Sequence, residues 1–431
     1  MRFKEVVFPG NLFSFKKANP MIHKSVFGLV FFLLSTFVHG QNLGFAITEG
    51  HSKVKIPIEV YNNLIIVPVV LNGKLPLKFI LDTGVRTTIL TEKAFSDFLH
   101  LSYARKYTIA GPGGVKFIDA YITNNVSIDM PGVHGEGHAM LVLDQDYLEL
   151  RNYLGTDVHG ILGYELFSRF VVQIDYETKS LTLMLPGRFK SHRKYEELAI
   201  TVQDTKPYLV TTVNISDSSR LQAKLLIDTG ASHGLLLDPE SDTAIQVPSQ
   251  NITSIIGRGL GGVIEGKIGR IQGIRLGKYK LDRVIVNFPD LNSYSDTLKN
   301  DRTVPRNGSL GGEILSRFTV IFDFPNEKIY LKKNSVFRNE FHYNISGLTV
   351  KAVGEFLREF EITNVRNNTA AHFADIKVGD KILSINSEAT ADFDLDRLDD
   401  MLNSKPGRKV ILEIERDGKR MKRQFLLQNQ I

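Results

Sequence analysis

From about residue 41 onward, apolar residues come in short runs broken by Gly, Asn and Pro, the texture of an all-β domain. The run Asn63-Leu64-Ile65-Ile66-Val67-Pro68-Val69-Val70-Leu71 meets Asn72-Gly73, a strong hairpin turn signal, and a second run spans Leu77 to Leu81. Thr91 to Leu99 reads as a helix with Phe95, Phe98 and Leu99 on one face. A basic, polar connector, Pro186 to Lys194, precedes a second stretch of the same texture that reaches about Arg338. Beyond residue 345 the pattern changes. Phe360 to Val365 alternates as a strand, and Val378 to Asn386 is a strand entered through a Gly379-Asp380 turn. Leu395 to Leu402 is a short amphipathic helix, and two further strands flank the turn Arg416-Asp417-Gly418-Lys419.

The N-terminus has a different character. Met21-Ile22-His23-Lys24 precedes an apolar run of 13 residues, Val26 to Val38, which is a signal-peptide length and short for a membrane span. Val38-His39-Gly40 offers a cleavage point before Gln41, and Met21 is the expected start. The chain is therefore expected to be exported, with the alternative of an uncleaved membrane tether. The expected division is an upstream extension and signal over 1–40, one lobe over 41–190, a second over 191–340, and a smaller domain over 341–431.

Candidate chemistry sits in a repeat. Asp82-Thr83-Gly84 follows Phe79-Ile80-Leu81, and Asp228-Thr229-Gly230 follows Leu225-Leu226-Ile227. After the first comes Gly111-Pro112-Gly113-Gly114-Val115, and after the second Gly259-Leu260-Gly261-Gly262-Val263. Farther on, Gly160 to Phe170 and Gly308 to Phe318 share seven of eleven residues. The period, 146 residues from Asp82 to Asp228, is too long for a solenoid and reads as two homologous lobes. Two carboxylates brought face to face share one proton, so one serves as general base and the other as general acid toward a water. Thr83 and Thr229 can bond across to the opposite loop, and Gly84 and Gly230 let backbone N–H groups approach the carboxylates.

Composition narrows the chemistry. The 431 residues contain no Cys, which excludes disulfides, thiol catalysis and Cys-ligated zinc. A net charge of +6 is mild and spread along the chain, as on a solvated surface and not a nucleic-acid site. No phosphate-binding loop or cofactor fingerprint stands out, so no cofactor and no metal are expected. His134 and His138 have a metal-compatible spacing only on a helix, and they lie in a hairpin-like composition. His233 reads as surface-exposed, and the basic run Arg416 to Arg423 as part of a hairpin.

Over roughly residues 55–335 the chain resembles the aspartic proteases of the pepsin and retropepsin type. The resemblance implies two mainly β, barrel-like lobes, each supplying one catalytic Asp, here Asp82 and Asp228, to one peptidase site. It implies that Ile161-Leu162-Gly163 and Ser309-Leu310-Gly311 pack beneath the catalytic loops, with Ser309 where an apolar residue is usual. It implies flaps at Gly111, Gly113, Gly114 and at Gly259, Gly261, Gly262, one per lobe as in retropepsins. The family usually has Ala, Ser or Thr after Asp-Thr-Gly, whereas the first loop has Val85, bulky enough to crowd it. With no hydroxyl there in either copy, the pH optimum is expected to be less acid than pepsin's, with no sharp maximum below about pH 3.

The last 90 or so residues resemble a PDZ domain through Val378-Gly379-Asp380-Lys381-Ile382-Leu383-Ser384-Ile385-Asn386. The resemblance implies an α+β fold that captures a peptide C-terminus as an added strand, its carboxylate held by the loop Gly347-Leu348-Thr349-Val350. Thr349 stands where that family usually has Gly. Together these features imply a bacterial-type, monomeric, exported endopeptidase acting on peptide or protein substrates. The alternatives are a non-catalytic peptide-binding protein on the same scaffold, or an intermolecular dimer of lobes, and a PDZ-like module that only braces the second lobe.

Overall fold

The computed structural model describes residues 43–111, 113, 117–290 and 304–431. The expected signal segment and Gly114 lie outside the described residues. The chain is mainly β, arranged as two large sheets, a sheet shared between them, and a C-terminal sheet.

In the first large sheet, Leu64–Leu71 pairs antiparallel with Leu75–Leu81. Asn72 and Gly73 both take positive φ between them, the backbone a tight hairpin turn needs. Leu64–Leu71 is apolar without alternation because both faces are covered. Ile65, Val67, Val69 and Leu71 enter the main core, while Leu64 and Ile66 join a smaller cluster with Ile80, Leu154 and Val158. Leu75–Leu81 then pairs parallel with Gly160–Leu162, so that Leu81 lies beside Leu162. The second large sheet repeats this arrangement. Lys206–Asn214 pairs with Arg220–Ile227, which runs parallel to Gly308–Leu310, with Ile227 beside Leu310.

Among the described residues, six short α-helices punctuate the strands: α1 (Lys93–Phe98), α2 (Leu150–Leu154), α3 (Tyr164–Arg169), α4 (Gly312–Leu315), α5 (Ala370–Phe373) and α6 (Leu395–Leu402). The expected apolar face of α1 is only partly formed. Phe95 and Leu99 pack against the core, but Phe98 is 67% exposed. Phe98 stands about 60° round the helix from Phe95, on the side away from Leu99, and so faces solvent.

A six-stranded sheet takes Lys53–Pro57, Val171–Asp175 and Ser180–Met184 from the first half, and Glu196–Ala199, Phe318–Asp323 and Lys328–Lys333 from the second. Its central contact is Val171–Asp175 against Phe318–Asp323. Phe167 packs edge-on against Phe322 at 5.4 Å and stacks on Phe324 at 5.2 Å above it. The two halves therefore share one continuous hydrophobic core, which holds the loops bearing Asp82 and Asp228 in fixed relation.

The C-terminal sheet has its own core, built on Phe360, Ile362, Leu398, Leu402, Leu412 and Ile414. Its strand order begins with Leu348–Val353 at the edge, followed by Glu359–Val365, Lys381–Ile385, Lys409–Arg416 and Lys419–Leu426. Asp394 caps α6 by accepting from the Arg397 N–H at 2.9 Å.

Candidate active site

Each Asp-Thr-Gly loop springs from the end of a strand and is anchored by the parallel neighbour beneath it. The Asp82 N–H donates to Leu162 O, and the Asp228 N–H to Leu310 O, both at 2.9 Å. Ile161-Leu162-Gly163 and Ser309-Leu310-Gly311 thus lie beneath the two loops.

The loops meet through their threonines, both 0% exposed. Thr83 Oγ1 donates to Ile227 O at 2.6 Å and accepts from the Thr229 N–H at 3.0 Å. Thr229 Oγ1 donates to Leu81 O at 2.8 Å and accepts from the Thr83 N–H at 3.1 Å. Four buried bonds therefore fasten one loop to the other, and each hydroxyl both donates and accepts. Threonine suits the position because its hydroxyl satisfies backbone groups that the crossing would otherwise strand away from water.

This crossing brings Asp82 and Asp228 to one place. The Gly84 N–H donates to Asp82 Oδ1 at 2.6 Å, and the Gly230 N–H to Asp228 Oδ1 at 3.0 Å. Gly230 also abuts the opposite lobe's carboxylate, since a Cβ there would lie 2.2 Å from Asp82 Cγ. Any side chain at 230 would push the carboxyl groups apart. Withdrawal from water holds the Asp82 carboxyl well above the ordinary aspartate value, and the neighbouring Asp228 carboxylate adds to the effect. The Gly84 N–H works in the opposite sense without cancelling it. Such a pair titrates as a unit.

Two hairpins reach toward each other nearby. Tyr103–Ala110 pairs with Phe117–Val126, and Asn251–Gly259 with Gly262–Arg270. Their tips touch. A Cβ on Gly113 would lie 2.1 Å from Gly262 O, and one on Gly111 2.5 Å from Leu260 Cβ. Gly261 sits in the turn between the second pair. Leu260 packs on an apolar cluster of the first lobe that includes Ile89, Ile118, Ile161 and Val85. Val85 packs against the same apolar cluster, and its carbonyl accepts from the Tyr164 N–H at 2.9 Å.

The aspartyl protease family profile matches residues 67–166 and 211–314, and the PDZ domain profile matches residues 340–415. The chain carries two aspartyl protease lobes and a PDZ domain. No curated protein matches the chain significantly.

His233 is not on the open surface but half-buried, with Nε2 at 3.0 Å from Ser309 Oγ. Burial lowers its pKa, against a smaller opposing pull from Asp228. Ser309, 3% exposed, thereby gains a partner for its hydroxyl. The signal was present in the repeat: Thr87 and Ile161 of the first lobe become His233 and Ser309 of the second, two departures at facing positions. His134 and His138 lie on consecutive strands, not a helix. His134 pairs with Asp129 and Glu136, and His138 Nδ1 with Glu165 at 2.5 Å.

In the PDZ domain, Gly347 takes φ +79 and Leu348 begins the edge strand. The Gly347 N–H donates to Asn344 Oδ1 at 2.8 Å, and the Leu348 N–H to Ser346 Oγ at 3.2 Å. These amides, expected to hold a ligand carboxylate, are engaged by the preceding turn. Thr349 O accepts from Thr363 Oγ1 at 3.2 Å, and a register shift separates Thr349 from Val350. Basic residues of the last hairpin face acids of their own domain, Arg416 on Asp380 at 2.6 Å and Arg423 on Asp375 at 2.8 Å.

Proposed function

We propose that this protein is a single-chain aspartic endopeptidase whose water is activated between Asp82 and Asp228. The observation that carries the reading is the pair of Asp-Thr-Gly loops crossing through four buried threonine bonds, which gathers the two carboxyl groups. Two carboxyl groups this close share one proton, and in this mechanism Asp82 is the acid and Asp228 the base. Asp228 takes a proton from water as the water oxygen attacks the scissile carbonyl carbon. Asp82 hydrogen-bonds the developing oxyanion, and the leaving nitrogen is protonated from the dyad as the C–N bond breaks. The two hairpin tips part to admit an extended peptide and pair with it as strands. The PDZ domain supplies a second peptide-binding surface.

The substrates are peptides or proteins met outside the cytoplasm after removal of a signal ending at Gly40. The rival reading is a peptide-binding protein without catalysis on the same scaffold. Protein beginning at Gln41 is incubated with a diverse peptide mixture from pH 3 to 8 beside Asp82→Asn and Asp228→Asn. Cleavage by the parent, lost in both variants, is expected. Folded parent that binds peptides and cleaves none at any pH would leave the rival standing.

A further inference from the structure

The outer edge of the PDZ strand Leu348–Val353 is where an added peptide strand would pair, yet α2 of the first lobe already lies on it. Asn152 Nδ2 donates to Ala352 O at 2.7 Å. Arg151 Nη2 donates to Glu355 O at 2.5 Å and its Nη1 to Gly354 O at 3.4 Å. Lys351 pairs with Glu149 at 3.5 Å. At the foot of α2, Gly155 presses on the first residue of α6, where a Cβ would lie 2.6 Å from Leu395 Cβ. Contact with both Leu348–Val353 and α6 places α2 at one mouth of the groove between them. At the other end, Asn344 Nδ2 donates to Leu348 O at 2.6 Å. Both ends of the edge are engaged by side-chain amides of the chain itself.

The same helix also reaches the second lobe's flap. Arg258, in the strand Asn251–Gly259, donates from Nη2 to Tyr153 Oη at 2.7 Å, with its guanidinium 4.6 Å from the ring centre. Leu150 packs on the apolar cluster that receives the flap tip Leu260. Residues 150 to 153 therefore touch the PDZ edge on one side and the flap on the other.

We propose that α2 is a latch, and that the PDZ edge is an effector site for an extended peptide whose docking displaces α2 and loosens the Asn251–Arg270 flap. The incoming strand competes with Asn152 for Ala352 O. A loosened α2 then withdraws Tyr153 from Arg258 and Leu150 from the Leu260 cluster. Occupancy of the PDZ domain thereby governs access to the carboxylate pair. The proposal rests on reading the hairpin as a flap of the protease site.

Backbone hydrogen exchange on the full chain tests the coupling, because it needs no catalysis. In Asn152→Ala combined with Arg151→Ala, exchange is expected to rise about tenfold in Leu348–Val353 and also in Asn251–Arg270. Tyr153→Phe, which removes one hydroxyl and leaves the PDZ contacts intact, is expected to raise exchange in the flap alone. Faster exchange confined to Leu348–Val353 in the double variant, or an unchanged flap in Tyr153→Phe, would overturn the coupling. The competition is tested with a library of eight-residue peptides bearing free C-termini. The double variant is expected to retain about tenfold more peptide than the parent. Equal retention, or none by either protein, would overturn it. Lost cleavage with the coupling intact would count against the peptidase reading alone.

Discussion

At the residue scale, the site is decided by groups that are costly to bury. The raised Asp82 pKa links the site to stability. Its carboxyl prefers the proton more strongly in the folded chain than in the unfolded one, so the associated stability is fully present below the ordinary value of 3.8. That stability is lost as pH rises through the folded value. Asp82→Asn, which cannot ionise, is therefore expected to melt higher than the parent at pH 7, with the gain vanishing below about pH 3.8. Thermal melts of both proteins across that range check it. The threonines behave oppositely. Thr83→Ala leaves Ile227 O and the Thr229 N–H without their buried partner, for a loss of about 1–3 kcal/mol in denaturant unfolding. The Asp-Thr-Gly repeat made these residues legible, because each copy closes an apolar strand. The position of His233 was legible only by comparing the two copies of the repeat, because its partner Ser309 is 76 residues away. Pairing with Leu226 on one side and Leu236 on the other places that hydroxyl under the loop.

At the element scale, strands read more plainly than helices. The Asn72-Gly73 turn, the α6 boundaries and the last PDZ hairpin all lie where the periodicity predicts them. Phe98 does not, because the helical rotation sets it on the opposite side of Phe95 from Leu99, away from the core. The loop underlay offers a test of how lobe differences are compensated. His233→Ala strands the buried Ser309 hydroxyl, whereas adding Ser309→Ile restores the first lobe's apolar residue. A double-mutant cycle is expected to show coupling of about 1 kcal/mol between the two sites. The flap tips give a second test. A side chain at 113 meets the Gly262 carbonyl, so Gly113→Val is expected to hold the tips apart. Cleavage of a fluorogenic peptide pool should then show a raised KM, since an opened flap loses strand contacts to the bound peptide.

At the scale of the whole molecule, the lobes are not separable beads on a chain. The shared six-stranded sheet and continuous core fix the crossing of the Asp-Thr-Gly loops, and the PDZ domain meets the first lobe through α2. Periodicity showed two similar stretches and a third domain. It could not show Val172 opposite Phe322, or Asn152 on Ala352, because both depend on contacts far apart in sequence. One chain assembles one carboxylate pair from its own two lobes. Mixing Asp82→Asn with Asp228→Asn, each folded and inactive alone, tests it most directly. If the pair forms within a chain, every molecule in the mixture lacks one carboxylate and no peptide cleavage returns. If lobes pair between chains, some sites regain both carboxylates, and cleavage restored on mixing would contradict the account.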